Sequence, residues 1–132
     1  MRISHLLTVA GVALLPTLAS ATNTTNFVLK TTQDLYVVCS TASGDPLYNQ
    51  AINFCAGYLL GIVSYDDAVS DNKHLHRLVC YPPTATRDEG IQIFTDWAAS
   101  HQQDQDLMNA PPVLGALRGL GSKWPCNQGA GE

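Results

Sequence analysis

The strongest pattern along the chain is a run of apolar residues at the helical period between about 47 and 69. Ile52, Cys55, Ala56, Leu59, Ile62 and Val63 recur at spacings that place them on one helix face. Phe54, Tyr58 and Tyr65 widen that face, so the pattern predicts the central helix of the fold here. Gly57 and Gly61 interrupt it. Each costs about 1 kcal/mol of helix propensity relative to alanine. The expected reason for them is close approach of a neighbouring helix in the core. The polar flanks exclude a membrane dimer motif.

Three further helices flank this one. Leu35, Val38 and Cys39 share a face in a helix predicted over about 32–42, with Thr31 or Thr32 as its cap. Ser43-Gly44-Asp45-Pro46 is a turn cluster that ends it. Thr86-Arg87-Asp88-Glu89 has the form of a capping box, in which Thr86 and Glu89 satisfy backbone donors reciprocally. The helix it opens runs to about 100, with Ile91, Phe94 and Ala98 inward. Pro111-Pro112 opens a last helix over about 111–121, whose apolar face is Val113, Leu114, Leu117 and Leu120 and whose end Gly119 and Gly121 loosen. Residues 22–31 read as a frayed polar arm, with a short possible strand at 26–29. Residues 70–79 read as a polar loop, and His101 to Asp106 as a polar linker. The fold class is therefore all-α, a small single-domain bundle of about four helices.

The N-terminus changes the picture. Arg2 precedes a ten-residue apolar run, Leu6 to Leu15, and Ala19-Ser20-Ala21 is a small-x-small cleavage site. Residues 1–21 are expected to be a cleaved export signal, and 22–132 the single mature domain. The run is shorter than the roughly 20 residues that span a bilayer. Four cysteines in a small exported chain predict two disulfides. Cys39 lies late in the first helix and Cys55 early in the second. Cys80 precedes the third and Cys126 follows the fourth. Antiparallel packing of each helix pair opposes these positions, so of the three possible pairings the expected one is 39–55 with 80–126.

Eleven acidic residues against seven basic ones give a formal net charge of −4. Loss of Arg2 with the signal makes the domain more acidic. This disfavours nucleic acid and anionic lipid surfaces, which recruit basic patches, and suits a basic protein partner. No Ser, His and Asp fall in a nucleophile motif, and no cysteine stays free once both disulfides form. His74-x-His76 lacks a third metal ligand. Asp66 and Asp67 diverge by about 100° on a helix, so they do not form a facing pair. With Asp71 they read as a solvated acidic face or part of a partner surface. No catalytic residue, metal site or cofactor is expected. Tyr58 and both tryptophans, Trp97 and Trp124, read as core.

The order Cys39, Cys55-Ala56-Gly57-Tyr58-Leu59-x-Gly61, Cys80-Tyr81-Pro82-Pro83, capped helix, Trp124-Pro125-Cys126 resembles the Rap/Tai immunity proteins linked to type VI secretion. The resemblance covers about 32–127. It implies a small, all-helical periplasmic protein that blocks a peptidoglycan-cleaving amidase effector by occluding its active-site cleft, often as a homodimer. The expected contact surface is two polar segments bounded by rigid helices, 66–77 and 101–109. Its candidate residues are Asp66, Asp71, His74, His101, Gln103 and Asp106. The alternative reading is a periplasmic acid-stress chaperone built on a similar scaffold. It would expose apolar surface when carboxylates lose their charge. A third reading, a hydrolase or lipid-binding protein, needs a pocket.

Overall fold

A computed structural model describes residues 21–73 and 75–126. Most of the export-signal reading and the candidate His74 lie outside them. Among the described residues the fold is all-helical and carries two disulfides, Cys39–Cys55 and Cys80–Cys126, with Cα separations of 5.2 and 4.9 Å. Both pairings are those the helix geometry predicts. By the loop-entropy model each contributes about 3–4 kcal/mol.

The 22–31 segment is not a frayed arm, and 26–29 is not a strand. Thr24–Val28 forms a 3-10 turn. Asn23 caps it, its side chain accepting from the Thr25 N–H, while Asn26 accepts from the Asn23 N–H. The turn ends at Leu29, whose φ of 47° is left-handed. The sequence reading missed it because its cap is built from asparagines three apart rather than from an apolar period.

Helix α1 spans Thr32–Cys39, shorter than the sequence suggested. Thr31 is the cap. Its hydroxyl accepts from the Asp34 N–H, and the Asp34 carboxylate accepts from the N–H groups of Thr31 and Lys30. Thr32, Leu35, Val38 and Cys39 are buried. This short helix, rather than the long one, is the centre of the fold: it touches the 3-10 turn and every other helix.

Helix α2, Tyr48–Lys73, extends four residues beyond the expected end and takes in part of the predicted loop. Ala51, Cys55, Ala56 and Leu59 face the core. Helix α3, Arg87–Ser100, is capped by the Thr86 hydroxyl, which accepts from the Glu89 N–H. Only that arm of the capping box is formed. Ile91, Phe94 and Ala98 point inward as predicted. The supposed linker contains a short helix, α4, Gln105–Met108, capped by Asp104, and it buries Met108.

Helix α5, Pro112–Lys123, is rotated relative to expectation. Its buried face is Pro112, Gly115, Ala116, Gly119 and Leu120, while Val113 and Leu114 are exposed. The cause is backbone proximity. A β carbon at Gly115 would lie 2.3 Å from Thr32 Cγ2, and one at Gly119 would lie 3.1 Å from the Phe94 ring. The close approach assigned to Gly57 and Gly61 is therefore made by Gly115 and Gly119. A β carbon at Gly57 or Gly61 would meet nothing within 4 Å. Nor do Gly119 and Gly121 loosen the helix end, since both lie within it.

These contacts set opposite outcomes for like substitutions. Gly115→Ala forces a β carbon into Thr32 and should destabilise the domain by about 1–3 kcal/mol, the usual range for overpacking. Gly57→Ala should stabilise it by up to about 1 kcal/mol through helix propensity alone. Urea denaturation of both variants checks the assignment; equal effects would contradict it.

Candidate functional site

Helix α2 carries apolar residues on two sides, and the core covers only one. On the other, Gly57, Gly61, Tyr58, Ile62, Tyr65 and Val69 form the floor of an open groove of about 790 Å³. One wall comes from the segment after α2, through Leu75, His76 and Leu78. The other comes from Val113 and Leu117 of α5. Tyr65 is 71% exposed, and Leu75, Leu78 and Val113 are also exposed. Phe54, stacked on Tyr58 at 6.5 Å and edge-on to Phe27 at 5.4 Å, continues the apolar surface along α2.

Two adjacent carboxylates hold the first wall. Asp66 is buried at 9% exposure. It accepts from the Leu78 N–H at 3.0 Å and the Val79 N–H at 3.1 Å. Asp67 pairs with the Arg77 guanidinium and accepts from the Tyr81 hydroxyl. Arg77 also lies over the Tyr81 ring, 5.6 Å from its centroid. The hydrogen bond to Asp67, then burial and the Asp67 charge, raise the Tyr81 phenol above its ordinary value; Arg77 opposes this. Burial alone would lower Arg77, but Asp67 outweighs it and raises it. The pair thus works on one segment from two directions. This pins Val79 into the core and turns Leu75 and Leu78 outward.

The candidate residues are scattered. Asp66 lines the groove but is not part of a solvated face, because its oxygens are occupied by backbone donors. Asp71 is exposed on α2. His101 is half-buried, its ring 4.7 Å from that of Trp97 and its Nδ1 2.7 Å from the Trp97 carbonyl. Gln103 and Asp106 are exposed. None of His101, Gln103 and Asp106 lines the groove. The groove residues that sequence reasoning missed left one signal: α2 has more apolar positions than one buried face can use. Tyr58 is half-buried, as are Trp97 and Trp124, and all three pack against the core.

Among the described residues, no group of three or more His, Cys, Asp or Glu could hold a metal ion. None of the described helices is long and apolar enough to cross a membrane. The family model described as Rap1a immunity proteins matches residues 31–126. No curated protein and no solved structure matches the chain.

Two outcomes test the carboxylate pair. Asp66→Ala strips the acceptor from two backbone donors and should cost about 2–4 kcal/mol, measured by urea denaturation. A cost within experimental scatter would mean the wall holds without it. Tyr81 should ionise above the ordinary tyrosine value of about 10. A phenol raised on folding stabilises fully below its unfolded value, and that contribution is lost as pH rises through the folded one. Burial also raises the Tyr58 phenol, so alkaline spectrophotometric titration should show two late tyrosines, of which only one moves back towards about 10 in Asp67→Asn.

Proposed function

Because the chain belongs to the family of Rap1a immunity proteins, we propose that it is a periplasmic immunity protein that binds and inhibits a cognate type VI secretion effector. The effector is of the cell-wall amidase type, and inhibition is stoichiometric, by occlusion of its active site. The observation that carries this reading is the family match over 31–126, which takes in helices α1 to α5 of the described residues. The net charge of −4 favours encounter with a basic enzyme.

The groove on α2 is the proposed contact face. Its glycine floor lets a partner backbone come close, and Tyr65 has the size and exposure of an interface anchor. Its walls are fastened by the Asp66 and Asp67 bonds and by Cys80–Cys126, so little ordering cost falls on binding. Asp71 is proposed as a rim contact, with His74 beside it in sequence. His101, Gln103 and Asp106 are proposed as a second, polar contact at the α3–α4 corner. A homodimer that leaves the groove open is compatible with this scheme.

The chaperone alternative draws on one observation. The groove wall hangs on the bonds of Asp66 and Asp67, and its release would enlarge the apolar surface. The two readings part in a single experiment. The chain is expressed with its signal beside a candidate amidase effector directed to the periplasm. Rescue from lysis is expected. Gly61→Arg or Tyr65→Asp should abolish it and weaken binding at least about tenfold, with the fold intact by circular dichroism. His76→Ala and His101→Ala, which trim a groove wall and the second, polar contact rather than the groove floor, should weaken binding by less than about tenfold and retain rescue. Groove variants that protect fully would remove the groove from the account. Absence of rescue, with acid-induced suppression of client aggregation, would favour the chaperone.

A further inference from the structure

We propose that the amino terminus created by removal of the export signal is a structural element of the fold: the Thr22 α-ammonium caps the C-terminal end of α1. Thr22 is the first residue after the Ala19-Ser20-Ala21 cleavage pattern. It is buried at 9% exposure, whereas Asn23, Thr24 and Thr25 after it are exposed. Its hydroxyl lies 2.6 Å from the Thr41 hydroxyl and 3.3 Å from the Val37 carbonyl. Thr41, itself buried, donates to the Val38 carbonyl at 2.8 Å. Thr22 is therefore packed on the last turn of α1, the negative end of the helix dipole, where neutral donors from Ser40 and Thr41 already meet the carbonyls of Tyr36, Val37 and Val38.

That helix end has no cation of its own, because no basic residue falls in the last turn of α1. The backbone between Ala21 and Thr22 borders a recess of about 560 Å³. Gln33, Tyr36, Ser40, Asp45 and Gln102 line it with polar groups. Among the described residues, Asp45 and Tyr36 are its titratable side chains, and Asp45 Oδ1 already accepts from the Leu47 N–H at 2.8 Å. A leader peptidase adds water across the Ala21–Thr22 peptide bond. The carboxylate departs with the leader, and the amine left on Thr22 takes up a proton. A neutral amide is thereby exchanged for an ammonium at the border of the recess that the last turn of α1 and Asp45 line. Maturation fastens the arm to the helix that every other element touches. This inference does not depend on the immunity reading.

The test begins with the mass of the secreted chain, which should start at Thr22; any other start overturns the proposal. Chains with a free and an N-acetylated Thr22 are then melted across pH. The acetylated chain should melt about 2–5 °C lower near pH 6. The sign follows from linkage. An amine held by negative partners has a raised folded value. Its contribution is full below the ordinary 7.7–8.0 or so and lost as pH rises through the folded value. The two melts should therefore converge by about pH 10. Asp45→Asn should narrow the gap near pH 6. Thr22→Val, which removes the hydroxyl and keeps the amine, should preserve it. Equal melting of the two chains at every pH would overturn the proposal.

Discussion

The fold depends on one contact, in which Thr32 occupies the space that a side chain at residue 115 would need. Thr32 is fully buried, and its N–H and hydroxyl both donate to the Ala110 carbonyl, at 2.8 and 3.0 Å. Gly115 lets the first turns of α1 and α5 meet at this point. One helical turn on, Gly119 receives Phe94 and Trp97 of α3. At its other end α1 is tied to α2 through Cys39–Cys55. An eight-residue helix is too short to persist in water alone. Here it is held at both ends, and the remaining helices are arranged around it.

From that arrangement the open groove follows. At 26 residues, α2 is about 39 Å long. The helices packed against it have 8, 14 and 12 residues. They cover one side of α2 and leave the other, equally apolar in part, to solvent. The chain returning from α2 becomes a wall because Asp66 and Asp67 catch its backbone and side chains, and Cys80 then meets Cys126. A rigid floor and a fastened wall suit a protein that blocks a partner by shape.

Much of the fold was legible in the sequence where one local rule decided the outcome. The cysteines sit at opposed helix ends, and Ile91, Phe94 and Ala98 keep a clean period, so the pairing and α3 followed. The Thr86 cap was legible too, though Glu89 does not return the bond. What failed were features decided by distant partners. A glycine pair at helical spacing looks the same whether it faces a helix or solvent. The partners of Gly115 and Gly119 lie on helices far off in sequence. Asp66 looked solvated because its ligands are backbone N–H groups of Leu78 and Val79, which carry no side-chain signature. The face of α5 was misread because large apolar residues outvoted small ones. There it is the small residues that permit burial, and Val113 turns to the groove instead. The candidate site was legible only in part: Asp66 and the 66–77 stretch lie at the groove, whereas its aromatic and aliphatic surface was assigned to the core.

The central claim is that the uncovered face of α2 meets the partner. Hydroxyl-radical footprinting of the chain, alone and bound to its effector, reads that face directly through side-chain oxidation. The account predicts strong protection of Tyr65, Leu75 and Leu78 on binding, with weaker protection of His101 at the second, polar contact. Protection confined to the 101–109 segment, with Tyr65 as reactive bound as free, would contradict it.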